Sequence, residues 1–149
     1  MNKEKTEHIR FRQTNFESEL EKNGSFIYTN VGHCMMPMLR QNRDLSIISK
    51  RLSGRYRKYD VVLYRRENHY VLHRILKVRK KDYIICGDHN WRREYGITDE
   101  EIIGVLVSFV RDGKKIACSN KRYMVYVHLW CDFSRFALCS YFQSGAGKK

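Results

Sequence analysis

Proline occurs once in this chain of 149 residues, at Pro37, so the backbone has a single rigid punctuation point. Neither a C-x-x-C pair nor a C-x-x-C/H-x-x-x-H spacing is present. The five cysteines, Cys34, Cys86, Cys118, Cys131 and Cys139, are odd in number and scattered, which predicts neither a zinc site nor a disulfide framework. The first ten residues are mostly charged or polar and contain no apolar signal segment. That absence predicts a chain on the reducing, cytoplasmic side, where free thiols are normal. Acidic residues are also scarce, 16 against 29 Lys and Arg, for a net charge of +13. Internal repeats and low-complexity segments are absent, as are a helix-turn-helix pattern and an RNP-like aromatic run, so nucleic acid is disfavoured as a partner despite the charge.

What is present suits a single domain. The length permits a real core without division into two, and the apolar and aromatic content, 42% and 13%, is too high for a disordered chain. The basic residues recur in short clusters, among them Arg55 to Lys58, Lys77 to Lys81 and Lys121-Arg122, instead of forming one helical stripe. Such a surface attracts anionic lipid headgroups or nucleic acid, or is simply solvated.

Residues 1–13 read as a flexible arm and 14–122 as the domain proper. Thr14-Asn15-Phe16-Glu17 matches a capping box, and Phe16 and Leu20 share a helical face. The spacing predicts a short helix to about Lys22, stopped by Asn23-Gly24. Ser25 to Val31, Leu45 to Ile48, Asp60 to Arg65, Tyr70 to Val78, Tyr83 to Cys86 and Ile103 to Arg111 are β-branched or aromatic runs set between turn-forming clusters. Asp112-Gly113 predicts a tight hairpin, and Trp91 to Glu94 a surface loop. The expected fold class is mainly β, an antiparallel domain with a short helix at each end. Tyr123 to Phe142 is aromatic-rich but interrupted by Asp132 and Arg135, which suits an amphipathic helix lying on a membrane or on the core better than a membrane span. Residues 143–149 read as a disordered tail.

One constellation carries chemistry. Cys34 sits between Gly32 and Pro37; His73 follows in an alternating strand pattern beside Arg74; Asp88 stands in Gly87-Asp88-His89-Asn90. A free thiol of pKa about 8.5 is only a few per cent thiolate at neutral pH, so a neighbouring imidazole would raise its reactive fraction. A carboxylate on the far ring nitrogen would fix the tautomer and stabilise the imidazolium. Asp88 is the candidate for that role and Asp60 its rival; His33, His69 and His89 are the alternative bases. Cys34 also has a plain reading as a small buried thiol, His73 as a satisfied sheet histidine, and Arg74 as half of a structural ion pair. Met35, Met36 and Met38 suit an apolar pocket able to accept small side chains of a peptide.

Gly32-x-Cys34-Met35-x-Pro37-x-Leu39, then Asp60-Val61-Val62, Val71-Leu72-His73-Arg74-Ile75 and Gly87-Asp88-x-Asn90, resembles the ordered boxes of the signal peptidase I superfamily, over about half the chain. The resemblance implies a LexA-like and signal-peptidase-like β domain and an endopeptidase that cleaves a leader-like or signal-like segment of a precursor. It places the nucleophile at Cys34, where the family has serine, and His73 as base within a His-Arg dipeptide of the histidine branch. Asp88 becomes the third member. The oxyanion and substrate pocket falls to Gly32, Met35, Met36 and Pro37. Because position 32 is glycine, the side-chain hydroxyl that some members aim at the oxyanion is missing, and the backbone N–H of Cys34 is left for that task. No cofactor or metal is implied. The cysteine, whether natural or introduced, departs from the family, and the alternative is an inactive peptide-binding module with the same fold. A peripheral contact with an anionic membrane at its inner face is a further expectation.

Overall fold

The computed structural model describes residues 16–134. The arm over 1–13, the Thr14 end of the capping box, the later part of the helix expected over 123–142, Cys139 and the tail lie outside the described residues. A first helix, α1, spans residues 16–23 and ends where the Gly24 N–H donates to the Leu20 carbonyl at 2.9 Å with φ +70°, a conformation glycine adopts without steric cost. Phe16 stacks on Phe26 at 4.9 Å between ring centroids, pinning α1 to the sheet.

Eight strands follow: β1 Ser25–Thr29, β2 Asp44–Ser49, β3 Val61–Arg66, β4 His69–Val78, β5 Tyr83–Cys86, β6 Glu94–Ile97, β7 Ile102–Arg111 and β8 Lys114–Ala117. They form one antiparallel sheet in the order β1-β2-β7-β3-β4-β5-β6, with β8 added to β7. The chain is thus mainly β with short helices at both ends, as its alternating runs predict. Asp112 and Gly113, with φ of 49° and 72°, make the β7–β8 hairpin turn. Glu94, expected in a surface loop, instead opens β6, which pairs with β5. The run is short and includes Glu94 and Gly96, so it carries little β propensity of its own and is held by its neighbour.

The central strand β3 is buried on both faces. Val61 and Leu63 join one core cluster with Met35, Met38, Leu72 and Phe109, while Val62 and Tyr64 join a second with Ile75, Tyr83 and Ile85. That is the period of two expressed as two packed layers. Register shifts at Ile47/Ile48, Leu63/Tyr64 and Ile75/Lys77 bend the sheet around the first cluster.

Asn120 caps α2, Lys121–His128, by accepting the Arg122 N–H at 2.9 Å; Tyr123 and Val127 are its buried face. The helix widens into a π-type turn over Leu129–Ser134. Among the described residues, no helix is long and apolar enough to cross a membrane.

Candidate active site

Residues 33–39 form a compact turn between β1 and β2, closed by Met36 N–H to His33 O at 3.0 Å and Leu39 N–H to Met35 O at 2.9 Å. Gly32 enters it at φ +84°, and its N–H donates to Gln41 Oε1 at 2.9 Å. The Met36–Pro37 bond is cis. Met35, Met38 and Leu39 are buried anchors in the first core cluster, Met36 and Pro37 are half-buried, and Cys34 remains half-buried with its Sγ 3.9 Å from the Leu72 carbonyl of β4.

The histidine comes from β4. Among the described histidines only His73 is buried; His33, His69, His89 and His128 are exposed. Gly87 brings the two halves together. A Cβ built on it would lie 2.5 Å from the Cys34 carbonyl oxygen, 2.9 Å from Asn90 Nδ2 and 3.0 Å from His73 Nε2. The Cys34 turn and the imidazole edge therefore crowd one point that only glycine can occupy. His89 N–H donates to the Cys34 carbonyl at 2.9 Å, tying the turn to the loop after β5.

The far side of the ring differs from expectation. Both Asp88 oxygens are held by Arg74, Nε to Oδ1 at 2.8 Å and Nη2 to Oδ2 at 2.7 Å, and both side chains are almost wholly buried. Asp88 forms a structural ion pair, while Nδ1 of His73 faces two other groups: Tyr64 Oη at 3.0 Å and Glu94 Oε1 at 3.3 Å. Glu94 is shared with Arg66 Nη1 at 3.2 Å. Asp60 accepts Arg51 Nη1 at 3.0 Å and the Arg57 N–H at 2.8 Å, so it fastens the segment entering β3.

The electrostatics follow from burial. Desolvation lowers the His73 pKa first, with Arg66 acting the same way, and Glu94 and Asp88 oppose it without winning. Burial also pushes the Cys34 thiol up, with the negative charges of Asp88 and Glu94 adding to it, while the N–H groups of Cys34 and Met35 pull it back. The two shifts separate the groups in opposite senses: burial favours the neutral thiol and the neutral imidazole, against the enriched thiolate expected from the sequence. Tyr64 is held protonated, chiefly by burial and then by Glu94. With Tyr64 Oη and Glu94 Oε1 both facing Nδ1, the arrangement suits an imidazole proton on Nδ1 and a lone pair on Nε2 towards the Gly87 side.

Glu94 is the functional candidate the sequence reading missed. Sequence spacing hides it, because it lies 21 residues from His73 and reaches it only through two antiparallel pairings: Ile75 opposite Ile85, and Ile85 opposite Glu94. Among the described residues no cluster of three or more His, Cys, Asp and Glu is arranged to hold a metal ion, and Cys34 and Cys118 are free thiols. Neither protein-family models nor curated proteins show a match to this chain.

Proposed function

We propose that the chain is an endopeptidase of the signal-peptidase-like type, with Cys34 as nucleophile, His73 as general base and Glu94, supported by Tyr64, as the positioning carboxylate. The observation that carries this reading is the convergence on Gly87 of the Cys34 turn and His73 Nε2, while Nδ1 is engaged by Glu94 and Tyr64.

In this mechanism Cys34 Sγ attacks the scissile carbonyl carbon as its proton passes to His73 Nε2. The developing oxyanion is met by backbone N–H groups of the turn, those of Cys34 and Met35 being the candidates. His73 then gives the proton to the departing amine nitrogen as the C–N bond breaks, leaving a thioester. Water, deprotonated by the same imidazole, cleaves the thioester to release the carboxyl product and restore the thiol. A neutral pair suits this sequence, because the proton moves only as the new bond forms; serine hydrolases work from the same starting state. No cofactor enters any step.

The partner is a peptide or precursor protein. A peripheral contact with anionic membrane is part of the same reading, supported by an exposed apolar stripe on α2 and the turn after it: Val125, Leu129 and Phe133 are 59%, 55% and 70% exposed. The decisive experiment incubates the full chain and its Cys34→Ala and His73→Ala variants with a proteome-derived peptide library and reads new termini by mass spectrometry. Cleavage lost in both variants supports the proposal. Folded wild-type chain that yields no new termini leaves the alternative, a peptide-binding module.

A further inference from the structure

Behind the nucleophile turn, the β7–β8 hairpin and α2 enclose an open groove of about 450 Å³. Pro37 and Met38, within the Cys34 turn, form one wall, and Phe109 and Ile116 supply an apolar floor. The opposite rim is polar and of one sign. Arg111 and Arg122 line it, Arg122 is exposed, and no Asp or Glu is among the lining residues. Tyr126 also lines the groove; its hydroxyl oxygen is shielded from solvent and has no hydrogen-bond partner. A buried hydroxyl left unpaired is costly, and a small shift of the Tyr126 ring towards the groove would let an incoming acceptor satisfy it.

These features select an occupant: apolar contact along the floor, a carboxylate for the guanidinium rim, and a hydrogen-bond acceptor for Tyr126. We propose that the groove is a docking subsite for the precursor peptide, taking a segment in which acidic and apolar side chains alternate or adjoin. This rests on the peptidase reading and specifies its substrate class: a precursor with an acidic-apolar recognition segment outside the scissile bond. α2 is partitioned accordingly, with Tyr123 and Val127 in the core, Arg122 and Tyr126 on the groove, and Val125 and Leu129 turned outward. Arg111 is partly engaged by Asp44, so Arg122 is the free-standing selector.

The test separates docking from hydrolysis. Full-length chain carrying Cys34→Ala is titrated, at physiological ionic strength, against a fluorescein-labelled peptide repeating Glu-Glu-Leu and against its Lys-Lys-Leu counterpart, with anisotropy as readout. The acidic peptide should bind at least about tenfold tighter; Arg122→Glu should weaken it by about tenfold and Tyr126→Phe by about threefold, as losses of one charged and one neutral hydrogen-bonding partner. Lys81→Glu, an equal charge change on the distant β4–β5 turn, should leave affinity within about twofold. Failure of the acidic peptide to bind, equal losses from Lys81→Glu and Arg122→Glu, or displacement by a single-stranded oligonucleotide but not by unlabelled peptide would overturn the subsite. Cleavage of the peptide library by the wild-type chain is scored separately. Binding without any cleavage sinks the peptidase reading and leaves a docking module, whereas cleavage without groove-dependent binding sinks only the subsite.

Discussion

At the scale of single residues, the proposed site sets a thiol and an imidazole in environments that push their pKa values apart. Because burial lowers His73 below its ordinary value of 6.5, the acid limb of kcat/KM should lie below pH 6.5, with activity rising as the imidazole loses its proton and reaching a plateau before neutrality. A peptide-cleavage pH profile checks this, and a limb above 6.5 would contradict it. Glu94→Gln removes the carboxylate that holds Nδ1–H. Cleavage should fall by roughly 100-fold, and the limb should shift further to acid because the group that raised the His73 pKa is gone. A purely structural role for Glu94 would lower activity without moving the limb. The raised Cys34 thiol makes a complementary prediction, that it alkylates with iodoacetamide more slowly at pH 7 than free cysteine does. Asp44 is the clearest residue for acid stability. Burial opposes its ionisation, but hydrogen bonds from Arg43, Arg111 and the Arg40 N–H prevail and hold it at about 2, against an ordinary 3.8. A carboxyl depressed by folding contributes stability above its unfolded value and loses it as pH falls through its folded value. Roughly 2 kcal/mol should disappear between about pH 4 and 2. Denaturant unfolding of the wild type should show that loss, and Asp44→Asn should flatten it.

At the scale of elements, the strands that carry a β-branched or aromatic run of their own were legible: Tyr83 to Cys86 is expected and observed with the same bounds, and β4 begins one residue earlier than expected, whereas β6 carries no such run. His73 lies in β4, the strand its alternating run predicts. What escaped was information held in pairing. Asp88 and Glu94 are both carboxylates downstream of His73, and the Gly-Asp turn in the sequence points to Asp88. The fold decides otherwise, because Arg74, next to His73 on β4 and so on its opposite face, captures both Asp88 oxygens with the Nε–Nη2 edge of its guanidinium. Asp88→Asn would therefore act on stability. It leaves Arg74, 0% exposed, without its counter-charge, an expected cost of about 3–5 kcal/mol in denaturant unfolding. Two glycines separate function from packing in the same way. A Cβ on Gly104 would meet Ile48 Cγ2 at 2.6 Å in the core, so Gly104→Ala should cost about 1–3 kcal/mol of stability. On Gly87 the same atom falls between the Cys34 turn and His73 Nε2, and cleavage should suffer more than stability does.

At the scale of the whole molecule, charge and exposed apolar surface coincide at one end. The chain carries +13, Lys121 and Arg122 open α2, and beyond them Val125, Leu129 and Phe133 fall at intervals of four on an outward face beside a shallow recess of about 470 Å³. Scattered exposed apolar residues are ordinary, but three in register beside basic residues are the pattern of a surface that enters the headgroup region of a bilayer. Each residue buried there contributes at most about 1.5–3 kcal/mol, and electrostatic attraction to anionic lipid adds to it. Full-length chain should therefore co-sediment with vesicles of mixed phosphatidylserine and phosphatidylcholine, and much less with phosphatidylcholine alone. Binding should weaken as salt shortens the screening length below about 8 Å. The double variant Leu129→Asp/Phe133→Asp, made at exposed positions where the core is untouched, should reduce binding by about tenfold or more while peptide cleavage in solution is unchanged. Undiminished binding by that variant would mean that the basic clusters, not the stripe, hold the protein to the membrane. Equal sedimentation with both vesicle types would remove the electrostatic half of the argument.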